Sequence, residues 1–371
     1  MADPNNQPIT PIANNVHNGD VYSLKVSRTG RFVASGSEDG TIVWFDPRDY
    51  ANTKKIFTVP NTHAYAVLTN DIPHNECYSV AFSNDETLIA VAAGQGNHFV
   101  NNELRHTGHG SVYILSVATG ELVKTLEENT HTVPAAVKFL PGHGHRVVGA
   151  FANGIIKIWD VQTGTVLLTF QPQGIEVDGI SIDVSRDGRF LIGLADLRPS
   201  QTSVLCMWSL ENNGALMWSV PNLPIDGSGP RFSPDSTTIF MTRRVSPTQD
   251  TFENLNKMFI YNAMTGEHVF TFPIHGSAPL EDMAFSPDGA RLLIVYDGCA
   301  DIYDVSAAHF GNRLTSSIEG NEFLGEGYFP FQAQIVKSVA FYPTEYVQRH
   351  HPTKTYAFVM GTLGDLFEYV W

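Results

Sequence analysis

Short apolar segments alternate with polar turns along the whole chain, and one of these segments returns seven times. Its pattern of apolar, small or polar, then apolar residues is the period-two alternation of a half-buried strand. The seven copies are YSLKVS (22–27), YSVAFS (78–83), AAVKFL (135–140), ISIDVS (180–185), SGPRFS (228–233), EDMAFS (281–286) and KSVAFY (337–342). Such a repeat predicts units that bury their apolar faces against their neighbours.

Each copy opens a unit of up to four strands. Most first strands are followed by polar turns such as SRTGR and SPDGA, whose Gly, Asp and Ser residues suit tight hairpins. Second strands such as FVASGS come next, followed by third strands and by fourth strands such as TVLLTF. The third strands end at Phe45-Asp46, Leu115-Ser116, Trp159-Asp160, Trp208-Ser209, Tyr261-Asn262, Tyr303-Asp304 and Tyr369-Val370.

Only six units show a fourth strand, and the weakest of these is RLTSSI (313–318). The chain stops at Trp371, directly after the seventh third strand. We therefore expect QPITPIAN (7–14) to supply the missing strand. Pairing the two ends of the chain in one blade would close a ring and limit exposed sheet edges.

Four strands per unit, a mean spacing of about 50 residues and the Trp159-Asp160 ending resemble the WD40-repeat family. The resemblance implies an all-β, seven-bladed β-propeller that forms a single domain over residues 1–371. A sandwich would not need seven equal units, and kelch repeats would show a Gly-Gly doublet after the second strand. The expected blades are 17–60, 74–127, 131–171, 176–221, 227–273, 275–319, and 335–371 plus 7–14.

Blade 1 resembles the family most closely. The resemblance implies a hydrogen-bond network between His17, a serine at Ser35 or Ser37, and Asp39, with Phe45 in place of the usual tryptophan. Blade 3 keeps a histidine and a tryptophan, His131 and Trp159, but has Asn153 where the family has aspartate. We expect its network to be incomplete.

Charge and cysteine content narrow the function. The net charge is −15, and the acidic residues are spread along the chain, which argues against a nucleic-acid partner. Cys77, Cys206 and Cys299 lie far apart, so we expect reduced core residues. MADPNNQPITPIANN has neither a basic segment nor an apolar run, and no stretch approaches the ~18–20 apolar residues of a membrane span. We expect no signal peptide, no transmembrane segment and a cytoplasmic or nuclear protein.

One face of the predicted propeller carries the longer connections. Fourth-to-first and second-to-third connections emerge there, whereas the opposite face carries tight turns apart from 343–354. Long loops within compact domains are usually functional. The long connections are 61–75, 94–110, 196–203, 243–257 and 318–334.

Carboxylates and tyrosines converge on the central channel at this face. Aligning the first strands on one apolar column places a set of residues four or six positions before it. The polar and charged members that we select are Asp20, Tyr22, Glu76, Tyr78, Asp178, Asp226, Glu281 and Lys337. In one interpretation the mouth is negative and attracts a cationic partner, with the tyrosines available for cation–π contact. In the other, the carboxylates cap turns or pair with loop arginines, namely Arg105, Arg198, Arg243 and Arg244.

The blade 2 connection contains three histidines, His98, His106 and His109, which are weak candidates for a metal site because their spacing matches no strong motif. The chain also lacks GxSxG, HExxH, P-loop and dinucleotide motifs, so no catalytic residue is assigned and no cofactor is expected.

The leading hypothesis is a non-catalytic scaffold that binds a protein or peptide of basic character on the loop-rich face. The alternative is a propeller enzyme or a small-ligand or metal-binding protein that uses the same acidic mouth.

Overall fold

A ring of antiparallel sheets makes up the computed structural model, which confirms the predicted seven-bladed β-propeller. Each blade is one sheet, and an extra two-stranded hairpin joins blade 2. The structure describes residues 10–60, 75–95, 98–100, 103–105, 109–130, 132–172, 177–197, 200, 202–224, 228–245, 255–274, 280–296, 299–305, 336–362 and 364–370.

The strands of the first four blades follow the order of the chain. Strand β1 (Thr10–Ala13) comes first and belongs to blade 7. Blade 1 contains β2 (Val21–Val26), β3 (Val33–Ser37), β4 (Thr41–Phe45), helix α1 (Tyr50–Thr53) and β5 (Lys55–Thr58). Blade 2 contains β6 (Glu76–Phe82), β7 (Leu88–Gln95), the hairpin β8 (His98–Val100) and β9 (Glu103–Arg105), β10 (His109–Ser116) and β11 (Leu122–Thr130). Blade 3 contains β12 (Pro134–Phe139), β13 (Arg146–Phe151), β14 (Ile156–Asp160) and β15 (Val166–Phe170). Blade 4 contains β16 (Val177–Val184), β17 (Phe190–Leu197), β18 (Thr202–Ser209) and β19 (Ala215–Pro224).

The remaining blades are less regular. Blade 5 contains β20 (Arg231–Phe232), β21 (Thr238–Val245), β22 (Leu255–Asn262) and β23 (His268–Pro273). Blade 6 contains β24 (Leu280–Phe285), β25 (Arg291–Tyr296) and β26 (Cys299–Asp304), and its predicted fourth strand, 313–318, lies outside the described residues. Blade 7 contains β27 (Ser338–Phe341), helix α2 (Thr344–His350), β28 (Ala357–Gly361), β29 (Leu366–Val370) and β1. None of the helices described is long and apolar enough to cross a membrane.

The N-terminal strand closes the ring as predicted. Strand β1 pairs antiparallel with β29, with Thr10 opposite Glu368. The contact continues past the strand, where the Asn15 N–H donates to Asp365 Oδ1 at 2.7 Å. Closure leaves the sheet of blade 7 with four strands and covers the edge of β29.

The core lies between the blades. Seven apolar clusters each combine side chains of two neighbouring blades, as in the cluster that joins Val43 of β4 to Val359 of β28. Strand β3 is buried at all five of its residues because blades cover both of its faces. Middle strands buried on both faces therefore read as nearly continuous apolar or small runs in the sequence, as in LIAVAA.

Two cysteines are confirmed as reduced core residues. Cys77 and Cys206 are buried and free, and burial raises the pKa of Cys206 to about 11. The side chain of Cys299 lies outside the described residues.

Two connections are better ordered than the sequence indicates. Strands β17 and β18 stay paired as far as Leu197 and Thr202, so the connection expected at 196–203 is a short hairpin loop. The connection at 94–110 holds the β8–β9 hairpin.

Candidate functional site

The inner strands reach the channel mouth through β-bulges. The register of β2 shifts between Val21 and Ser23, and that of β6 shifts between Cys77 and Ser79. Strand β24 has the corresponding shift on either side of Glu281. A bulge adds one unpaired residue and changes the direction of its side chain. The bulged positions in these strands are the residues that the alignment selects: Tyr22, Tyr78 and Glu281.

The bulged tyrosines of blades 1 and 2 stack on each other. The ring centroids of Tyr22 and Tyr78 are 6.1 Å apart, with an interplanar angle of 8°. Both side chains are half-buried, so the pair keeps contact with solvent. Stacked tyrosines provide an aromatic surface on which a cation can rest.

Several carboxylates surround this pair. Burial is the main cause that raises the pKa of Tyr22, and Glu76, Glu38, Asp20 and Glu281 raise it further, in that order. These carboxylates come from blades 1, 2 and 6, so the mouth does assemble negative charge from separate blades. Asp20 and Glu38 take part in no salt bridge with the residues that the structure describes.

A lysine neutralises one part of the mouth. Lys337 Nζ lies 2.8 Å from Glu281 Oε1, and both side chains are partly exposed. The pKa of Asp20 is raised, chiefly by burial, with a smaller contribution from Glu38 and an opposing one from Lys337. The raised pKa shows that further negative charge is unfavourable at this position, and that an added cation would stabilise it.

The alignment of first strands does not select Glu38. This residue follows β3, on the connection to β4, where its backbone N–H donates to the Asp20 carbonyl at 2.9 Å. Its side chain returns to the Asp20 N–H, with Oε2 at 3.4 Å. The signal was present in the motif SGSEDGT, because second-to-third connections emerge on the same face as the mouth.

Other predicted site residues are only partly described. Arg243 has a buried side chain, 2% exposed, which lowers the pKa of Tyr261 against the larger effect of burial. The structure describes the backbone of three predicted residues on β9, β16 and β21 but not their side chains: Arg105, Asp178 and Arg244. Asp226, Arg198, His106 and His131 lie outside the described residues altogether.

The histidine candidates for a metal site remain a prediction. His109 begins β10 and is partly exposed, whereas the side chain of His98 on β8 is not described. Across the described ranges, no group of three histidine, cysteine or acidic residues is arranged to hold a metal ion.

Blade 1 contains the hydrogen-bond network that the resemblance implies. His17 bonds Ser35 Oγ through Nε2 and Thr41 Oγ1 through Nδ1, both at 2.7 Å, and its Nδ1 lies 3.6 Å from Asp39 Oδ1. Burial raises the pKa of Asp39, but hydrogen bonds from His17, Thr41 and the Asn18 N–H outweigh this effect and hold it below its usual value. The network fixes the chain on both sides of Asp20 and Glu38.

Register confirms that Phe45 replaces tryptophan. Phe45 pairs with Val33 as Trp159 pairs with Val147 in blade 3. In blade 3 the Trp159 Nε1–H is buried without a partner in the described part of the chain, and Asn153 accepts only from its own turn, as expected of an incomplete network.

Comparison with known proteins agrees with this architecture. The family model "WD domain, G-beta repeat" matches residues 10–46, which span β1 to β4. The COMPASS component SWD3 of Saccharomyces cerevisiae is 27% identical over 167 residues, 43% of this chain and 44% of that protein. The nuclear distribution protein PAC1 of Komagataella phaffii is 24% identical over 183 residues, 48% of this chain and 33% of that protein.

A solved structure extends the likeness to the whole ring. A chain of the Kuenenia stuttgartiensis hydrazine synthase superposes with a TM-score of 0.68 over 95% of this chain and 96% of that one. At 13% identity this likeness concerns the fold alone. The matched repeat, the two relatives and the ring of seven blades together show that this chain belongs to the WD40-repeat family.

Proposed function

We propose that this protein is an interaction scaffold that holds a basic segment of a partner protein at the channel mouth. The observation that carries the proposal is the stacked pair of Tyr22 and Tyr78 beside carboxylates from three blades. We define the mouth by these tyrosines together with Asp20, Glu38, Glu76, Glu281 and Lys337.

Charge supports a cationic partner. Four carboxylates face one ammonium group in the mouth, and the pKa values of Tyr22 and Asp20 are both raised. An arginine or lysine side chain would offset this potential and could rest on a tyrosine face. A cation–π contact is worth about 0.5–2 kcal/mol, and removing one partner of a buried charge pair commonly costs about 2 kcal/mol or more.

The relatives support binding as the general role. SWD3 is described as a component of COMPASS, and we propose that this chain is likewise a component of a larger assembly. The matched regions span 44% and 33% of the lengths of the two relatives.

Binding of a labelled peptide of alternating arginine and glycine tests this proposal. Fluorescence anisotropy at about 50 mM salt, where surface charges are weakly screened, should show binding of this peptide and none of its glutamate–glycine counterpart. Glu76→Gln combined with Tyr78→Ala should weaken binding by about tenfold or more, equivalent to ~1.4 kcal/mol. The matched control Glu121→Gln, on an exposed turn between β10 and β11, should bind like the wild type.

Equal affinity of the mouth variant and the control would overturn the site. Equal binding of the two peptides would overturn the charge argument, because the mouth would then not distinguish cations from anions.

A further inference from the structure

A second set of charged side chains lies deeper in the channel. Lys25 on β2, Lys138 on β12, Asp183 on β16 and Arg231 on β20 each stand one residue before the apolar column of the first strands. Asp282 on β24 joins them through Arg231. Lys25 is three residues beyond Tyr22 along β2, or about 10 Å at the usual rise of a strand. We call these five residues the channel layer.

Both carboxylates of the channel layer already have partners. Lys138 Nζ lies 2.7 Å from Asp183 Oδ1, and Arg231 Nη2 donates to Asp282 Oδ1 at 2.7 Å. The second oxygen of Asp183 accepts the Phe232 N–H at 2.9 Å, and the second oxygen of Asp282 accepts a backbone N–H of β27 at 3.3 Å. These carboxylates are therefore occupied by two of the three cations.

Lys25 is the third cation. Its ammonium group donates to the Leu24 carbonyl at 2.9 Å, and no described carboxylate lies within salt-bridge distance of it. Burial is the main cause that lowers its pKa to about 8, and the neighbouring Lys138 and Arg231 lower it as well, against opposing effects of the two carboxylates. The channel layer thus holds an excess cation that an additional negative charge would stabilise.

Solvent reaches this layer inside the ring. The side chains of Lys138 and Arg231 each keep 24% of their surface exposed, although they face the channel. On the face opposite the mouth, the turns after β2 and β16 carry two exposed arginines, Arg28 and Arg186. The acidic mouth disfavours an anion, whereas the opposite end of the channel attracts one.

We propose that the channel layer binds a small oxyanion of the phosphate class, held by Lys25, Lys138 and Arg231. A divalent tetrahedral anion interacts with several cations at once, and the guanidinium and ammonium groups supply the donors that recognise its oxygens. This site is separate from the mouth, so it does not depend on the proposed partner.

Thermal unfolding in different sodium salts at pH 7 and equal ionic strength tests the site. Sodium phosphate and sodium sulfate should raise the melting temperature of the wild type more than sodium chloride does, because ligand that binds the folded state stabilises it. Sulfate and phosphate also stabilise proteins through general exclusion from their surface. The decisive quantity is therefore the difference between variants.

Lys25→Met should lose the specific part of the phosphate effect, and Lys25→Arg should keep it. The matched control Lys124→Met, which changes an outer lysine bonded only to the Gln162 carbonyl, should respond like the wild type. Nitrogen NMR of the lysine side chains gives a second measurement, in which phosphate should raise the pKa of Lys25.

An equal response of the Lys25→Met and Lys124→Met variants to phosphate would overturn the site. An unchanged pKa of Lys25 in saturating phosphate would do so as well.

Discussion

Replacing Lys25 by methionine should stabilise the protein in a phosphate-free buffer at pH 7. The environment of Lys25 lowers its pKa from an ordinary value of 10.5 to about 8. Each pKa unit corresponds to ~1.4 kcal/mol, so keeping this side chain charged in the folded state costs about 3 kcal/mol at most. Access of channel water and loss of the hydrogen bond to the Leu24 carbonyl reduce the gain, and we expect about 1–2 kcal/mol.

The pH dependence distinguishes this explanation from better packing by methionine. Because the pKa of Lys25 is lower in the folded state, the unfolded state binds more protons between pH 8 and 10.5, and wild-type stability rises with pH over that window relative to the variant. Below pH 8 both states are charged and the difference stays constant. The advantage of the variant should therefore shrink from pH 8 upward.

Urea unfolding of both proteins at pH 7, 8, 9 and 10 measures this difference directly. Other lysines and tyrosines titrate in the same range, but they are shared by both proteins and cancel in the comparison. A constant difference across this range would refute the electrostatic explanation, and destabilisation by methionine at pH 7 would refute the excess cation itself.

Three further predictions concern the ring. Asp39→Asn should cost about 1–2 kcal/mol at pH 7; since the folded-state pKa of Asp39 lies below its ordinary value, the loss relative to wild type should fade in urea titrations as the pH drops below about 4, and a loss that persists there would contradict the assignment. Deleting residues 1–13 should expose the edge of β29 and cause self-association visible by light scattering, whereas a monomeric, equally stable protein would show that closure is dispensable. Gly30→Ala should cost more than about 2 kcal/mol and Gly144→Ala about 1 kcal/mol; both have positive φ, but an added Cβ meets Tyr346 at 2.7 Å only at Gly30, so equal losses by calorimetry would mean that backbone strain alone decides.

The site could be located from the sequence more completely than it could be assembled. The period-two alignment selects Tyr22, Tyr78, Glu281 and Lys337 because each inner strand repeats the same spacing from its apolar column. The same alignment, read one residue before the column, would also have selected Lys25 and the rest of the channel layer. Glu38 could not be selected in this way, because it reaches the mouth from a connection and not from an inner strand.

The sequence by itself determined the repeat, the strand order within most blades and the closure by β1, because hydrophobic periodicity and turn residues are local properties. The tertiary structure decided which charges meet. The stacking of Tyr22 on Tyr78 and the separation of a negative mouth from a channel layer with an excess cation depend on contacts between blades. Those contacts follow from the curvature of the ring and from bulges that shift the register by one residue, and neither leaves a periodic signal in the chain.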